Sequence, residues 1–201
     1  MTRFLKAALA AASLVLASTS MQAANLSFTG TLNDDNDLRL FTFTLAADSD
    51  VTLRTWSYAG GLNAAGSLIG AGGFDALVSL FAGSGNAAIL IGANDDGVGV
   101  AVDPSTGFAY DSLLELFALS AGTYTVALTE FDNFASGPTL GDGFIGNSII
   151  GFDGRSAAWA LDILGVERAP QIPEPAGLPL AVLGLAAMGV LRRPTVRAAQ
   201  A

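Results

Sequence analysis

Over most of its length the chain alternates: apolar and polar residues trade places at every second position, the spacing of a strand with one face buried. The clearest case is 123–131, where Tyr124, Val126 and Leu128 alternate with Thr123, Thr125 and Thr129. Residues 38–45 put Phe41, Phe43 and Leu45 on one face, and 51–58 set Val51 and Leu53 against Thr52 and Arg54. Residues 157–166 align Trp159, Leu161 and Ile163. Four further runs read as strands, at 26–31, 75–81, 87–93 and 113–119, the middle two forming a hairpin about Gly83-Ser84-Gly85. No window shows helical spacing of comparable quality. About eight short strands with Gly, Asn and Asp turns predict an all-β fold, a jelly-roll-like β-sandwich, with a barrel as the alternative. Two connections, 94–111 and 132–155, are too long for hairpin turns, and loops of that length carry function or lack order.

The two ends follow a different pattern. Arg3 and Lys6 precede an apolar run at 7–17 and a small-residue exit at 18–24, which reads as a secretory signal peptide over residues 1–24. The expected cut falls after Ala23 or Ala24. At the other end, a linker at 169–172 leads into Pro173-Glu174-Pro175, then residues 176–191 without a charge, then Arg192 and Arg193. Each proline fixes its own φ and disfavours helix in the residue before it. Sixteen apolar residues make roughly 24 Å of helix, marginal for a membrane span, and the arginines would hold its end on the cytoplasmic side. A buried C-terminal helix is the other reading, although such helices are apolar on one face only.

This order of Pro173-Glu174-Pro175, apolar span and Arg192-Arg193 resembles the PEP-CTERM sorting signal of Gram-negative bacteria, with a somewhat longer extension, 194–201, after the arginines. The resemblance implies export through the secretory translocon, cleavage by signal peptidase and transient inner-membrane anchoring. It also implies processing near Pro173-Glu174-Pro175 by an exosortase, a membrane cysteine transpeptidase-like enzyme. The destination it implies is the cell surface or an exopolysaccharide-rich extracellular matrix.

Between the ends, residues 25–168 form one domain of a length that suits a single core. They hold 17 of the 18 carboxylates and four arginines, a net charge of −13, with no lysine. Such a field repels phosphates, which argues against a nucleic-acid partner, and attracts cations. The chain has no Cys and no His. Disulfides, thiolate chemistry, a Ser-His-Asp triad and imidazole zinc sites are therefore excluded. The remaining oxygen ligands suit calcium better than a transition metal.

The best candidate calcium set is Asp75, Asn94, Asp95, Asp96 and Asp111, from three segments that a sandwich could bring to one end. Asp and Asn also serve as turn formers that need no ion. A second acidic run, Asn33 to Asp37, lacks the glycine and distal glutamate of an EF-hand loop, and its charges read as hydrated. Trp56 and Tyr58 are candidate platforms for stacking on sugar rings. A glycosidase would need two carboxylates at a set separation; Glu115 and Glu130 are the glutamates within predicted strands, and the solvent-facing reading is the plainer one for Glu115. The Gly-rich loop at 60–73 lacks the Lys-Ser/Thr ending of a phosphate-binding loop.

The order Phe74-Asp75-Ala76-Leu77, Asn94-Asp95-Asp96-Gly97, Asp111-Ser112-Leu113 and Ala121-Gly122-Thr123-Tyr124 is similar to the bacterial pre-peptidase C-terminal (PPC) type domain. The resemblance covers roughly 26–166. It implies a jelly-roll binding module without catalytic activity, of a kind that in some members binds calcium and that often precedes a PEP-CTERM tail. The expected function is a secreted, non-enzymatic surface or matrix protein that associates with polysaccharide. A carboxylate-based glycan hydrolase is the alternative.

Overall fold

A computed structural model describes residues 23–146 and 151–167. Most of the predicted signal peptide, the linker and the whole sorting signal lie outside them, and with it Pro173, Glu174, Pro175, Arg192 and Arg193. Among the described residues no helix is long and apolar enough to cross a membrane.

The fold is all-β. In chain order the strands are β1 (Ala23–Thr31), β2 (Arg39–Leu45), β3 (Ser49–Thr55), β4 (Gly61–Leu62), β5 (Leu68–Ile69), β6 (Ala76–Ala82), β7 (Ile89–Asn94), β8 (Leu113–Leu119), β9 (Gly122–Glu130) and β10 (Ala158–Glu167). Eight of them build two four-stranded antiparallel sheets, ordered β1-β10-β3-β8 and β2-β9-β6-β7, which pack as a β-sandwich. Each of the eight predicted strands appears, its ends shifted by a few residues. β1 starts at Ala23, and its register with β10 slips between Ala24 and Leu26. A cut after Ala23 or Ala24 would therefore remove at most two residues of the strand.

The alternation does what the sequence asks of it. Phe43, Leu45, Val51, Leu53, Tyr124, Val126, Leu128, Trp159, Leu161 and Ile163 meet in one core between the sheets. Two features depart from simple alternation. β6 is buried on both faces, and the threonines of β9 that a half-exposed strand would show to water, Thr125 and Thr129, are buried as well. The cause is the connection after β9. It folds back over the outer face of the second sheet, with Leu140 N–H donating to Ala88 O and Leu90 N–H donating to Pro138 O. Phe81, Ala88 and Ala127 form a second small core beneath Ala135, Leu140 and Phe144. The first half of the long 132–155 connection is thus a structural cover.

The Gly-rich stretch closes into the β4–β5 hairpin. Buried Asp162 anchors it, accepting from Trp56 Nε1 at 2.7 Å and from the Ala64 N–H at 2.8 Å. Gly73 beside it has no room for a side chain: a Cβ there would lie 2.4 Å from Ala158 O and 2.5 Å from Ser57 O. That close approach holds the chain entering β6 against the chain entering β10, and both strands begin at the acidic end of the sandwich.

Candidate acidic site at one end of the sandwich

Antiparallel pairing gathers the site. Ala76 pairs with Glu130, Val78 with Asn94, and Arg54 with Leu113. The start of β6, the end of β7, the start of β8 and the end of β9 therefore lie at the same end of the molecule. So do the segment after β3 and the one before β10. Every one of these segments carries a carboxylate or its neighbour.

Of the five residues predicted to hold calcium, three converge. Asp75, Asp95 and Asp96 can each bring a carboxylate oxygen within 4.8 Å of the other two. Asp75 and Asp95 are half-buried, and Asp75 Oδ1 and Asp95 Oδ1 are each sealed from solvent with no hydrogen-bond partner among the described residues. Burial, then repulsion from Asp95, Asp96, Asp111 and Glu130, pushes the Asp75 carboxyl up to about 8. Burial and the nearby charges of Asp96 and Asp132 push Asp95 to about 6. Burial raises Asp96 also.

The other two predicted ligands have structural duties. Asp111 is buried, and its carboxylate accepts from Thr55 Oγ1 and Tyr58 N–H at one oxygen and from Ala59 N–H at the other, at 2.8–3.0 Å. It ties the exit of β3 to the entry of β8. Asn94 accepts the Leu113 N–H at 2.7 Å and so fixes the end of β7 to β8. Both act as the turn formers that the sequence also allowed, and they shape the cluster from outside it. Between them lies Ser112, fully buried, with its hydroxyl 2.6, 2.7 and 2.8 Å from the carbonyls of Ala76, Asn94 and Asp95. A hydroxyl has one hydrogen, so three inward carbonyls compete for it.

Next to the cluster, Asp75 also faces a small open cleft of about 60 Å³, lined by Tyr58, Tyr110, Glu130, Phe152, Asp153 and Arg155. Glu130, at 1% exposure, is the most deeply buried glutamate of the described residues, and its Oε2 has no partner among them. Burial first, and then Asp35 and Asp153, push it to about 7. Arg155 lines the same cleft with its Nε and Nη2 groups engaged. It donates to Gly73 O and Tyr58 O, and at 2.6 Å to Asp103, while its guanidinium lies 3.6 Å above the Tyr58 ring. That pairing holds the Asp103 carboxyl down at about 2.

The sugar-stacking candidates fare differently from one another. Tyr58 is a correction: it is 5% exposed and packed between Arg155 and Tyr110, so it presents no open ring to a glycan chain passing over the surface. It lies just past β3, where strand alternation has ended. Trp56 stays partly exposed, but the Arg54 guanidinium lies 3.8 Å over its ring and the Gly61 backbone presses on it. Glu115 is exposed on β8. The acidic run at 33–37 is stitched into a turn, with Asp34 accepting from Asn36 N–H and Asp37 from Asn33 N–H.

Arg155 was not singled out by its sequence context, and Glu130 only as one of two strand glutamates that a glycosidase could use. The one available signal was an unbalanced glutamate at the end of the most regular strand.

No family model matches the chain, and no curated protein does. Among solved structures, a crystal structure of a protein from Sulfurospirillum deleyianum is similar at 11% identity and a TM-score of 0.36, covering 72% of this chain and 99% of that one. A likeness at that level bears on neither function nor mechanism.

Proposed function

We propose that this chain is an exported, non-enzymatic surface or matrix protein whose β-sandwich binds calcium at Asp75, Asp95 and Asp96. The observation that carries the calcium reading is the convergence of three carboxylates on one spot, with two of their oxygens buried and unmatched. Like charges in such a place are costly unless a cation joins them. Calcium takes six to eight oxygens in a flexible shell, so three carboxylates completed by water or a nearby carbonyl suffice, whereas a soft metal would want nitrogen or sulfur. The strand order supports a jelly roll: numbered over the eight main strands it reads 1-8-3-6 and 2-7-4-5, two interleaved Greek keys.

Export rests on the sequence of the two ends. The proposed route runs through the secretory translocon, signal peptidase and exosortase, with brief anchoring in the inner membrane and release to the surface or an exopolysaccharide matrix. Polysaccharide is the proposed partner there. A glycan hydrolase is the weaker reading, because Glu115 is exposed on a strand while Glu130 is sealed at one end of the sandwich, so the two strand glutamates do not form a pair.

Calorimetric titration of the purified full chain with calcium tests the site. Saturable heat at millimolar ion or below, lost at least tenfold in Asp95→Asn and Asp96→Asn, is expected. Absence of heat together with an unchanged melting temperature would remove the calcium reading. Mass spectrometry of the protein recovered outside the cell tests the sorting reading, which requires a new C-terminus close to Pro173-Glu174-Pro175.

A further inference from the structure

We propose that the cleft between Glu130, Asp75, Tyr110 and Phe152 is a second site, beside the calcium cluster and sharing Asp75 with it, that receives the primary ammonium group of a small organic ligand. The argument starts from what the walls lack. Three carboxylates line the space, Asp75, Glu130 and Asp153. The single cation among the lining residues, Arg155, already serves Gly73 O, Tyr58 O and Asp103. The Tyr58 hydroxyl is directed away, bonded to Thr106 at 3.2 Å. The cleft thus offers acceptors with few donors to match them, and a ligand that fits must bring donors and positive charge.

The burial of Glu130 sharpens this. Its side chain is 1% exposed, and the wall thus holds an acceptor, Oε2, that none of the described residues satisfies. A buried acceptor left in this state costs on the order of 1–3 kcal/mol, more when it is charged. An ammonium donates up to three hydrogen bonds and accepts none.

The rings decide between an organic and a metallic cation. Tyr58, Tyr110 and Phe152 make up much of the lining. A hard divalent ion wants a full shell of oxygens, which aromatic walls cannot supply. An alkylammonium group is served by both surfaces, with its charge at the carboxyl groups and its carbons against Tyr110 and Phe152. An anion finds no free cation on these walls, since Arg155 already pairs with Asp103. The enclosed volume, about 60 Å³ and open on one side, takes an ammonium group and the carbons next to it, the rest of the ligand staying outside.

Such a group occurs on amino sugars and on alkylamines, and the test separates the two sources. The full chain is titrated, with and without calcium, with glucosamine, N-acetylglucosamine, cadaverine and pentanol, and binding is read by ligand-observed NMR. Saturable binding of glucosamine without N-acetylglucosamine assigns an amino sugar, binding of cadaverine without pentanol assigns an alkylamine, and both together show that the ammonium suffices. Glu130→Gln is expected to weaken that binding at least tenfold while calcium binding persists, and Asp96→Asn is expected to do the reverse. Tyr110→Leu provides a second variant, expected to weaken the amine several-fold, should Glu130→Gln fail to fold. Binding of the neutral partner as tightly as its amine, no binding of either amine, or amine binding undiminished in both Glu130→Gln and Tyr110→Leu overturns the proposal and leaves the calcium reading untouched.

Discussion

Replacing Asp75 by asparagine should make the ion-free protein more stable and abolish its response to calcium. Asp75 joins the carboxylate cluster and the cleft, and its carboxyl is driven from an ordinary 3.8 to about 8. At pH 7 the folded protein must keep this acid largely protonated, while the unfolded chain releases the proton freely. The gap between 3.8 and 7 is about 3 pH units; at about 1.4 kcal/mol per unit the bare cost is roughly 4 kcal/mol. Asp75 is only half-buried, and solvent screening should reduce this to about 2 kcal/mol. Asparagine keeps the shape and removes the charge, so the cost disappears with it. For a domain of this length, about 3–5 °C in Tm accompanies each kcal/mol, which puts the ion-free variant roughly 6–10 °C above the parent. With calcium the order should narrow or invert, because an ion at 100 times its dissociation constant stabilises the parent by about 2.7 kcal/mol and the variant by nothing. Differential scanning calorimetry in chelator and in calcium reads both halves. An ion-free variant that melts at or below the parent, or one that still gains Tm with calcium, would refute the reasoning.

The same physics fixes the pH dependence of the ion-free protein. Asp75, Glu130 and Asp95 have folded values near 8, 7 and 6, all above their unfolded values, so the folded state holds more protons in that window and stability should fall as pH rises from about 4 to 8. Calcium should reverse the slope, since binding displaces protons, and its Tm shift should fade below about pH 6; thermal melts across pH 4–8 with and without the ion check both. Ser112→Ala should cost about 1–3 kcal/mol in urea unfolding, because it leaves inward carbonyls of Ala76, Asn94 and Asp95 without a donor, and it should weaken calcium binding by releasing the Asp95 loop.

The strands were legible because burial on one face leaves a period of two in the residues, and Thr123 to Thr129 state it plainly. The covers were not. Whether Thr125 faces water or the underside of a loop depends on where 132–146 comes to rest, and that segment carries no periodicity of its own. β4 and β5, two residues each, are too short to show any period. The cluster was legible in part for a related reason. Asp75, Asp95 and Asp96 lie at strand ends, where the sequence shows both the carboxylate and the boundary. Register then selects among them. It turns Asp111 inward to hold β3 and β8, engages Asn94 with the Leu113 N–H, and places Glu130 opposite Ala76, next to Asp75, a neighbourhood that no local spacing encodes.

A sandwich with an adequate core here tolerates a dense gathering of acid at one end. Asp35, Asp75, Asp95, Asp96, Asp111, Glu130, Asp132 and Asp153 all reach that end, and Arg155 is spent on Asp103. Some of the charge is structural and satisfied: Asp111 orders two strands, and Asp35 accepts from the N–H groups of Gly151 and Phe152. Asp75, Asp95 and Glu130 are different, each keeping one buried oxygen without a partner among the described residues. Their repulsion opposes folding, and the core has to offset it. A bound cation reverses the sign of that contribution, so on the proposed reading the domain is weaker where free calcium is scarce and consolidates where it is plentiful. An exported protein meets those two conditions in that order, kept short of its most stable form inside and completed outside. Stability and ligand occupancy are then one quantity, and neutralising the end should raise the first only by removing the second.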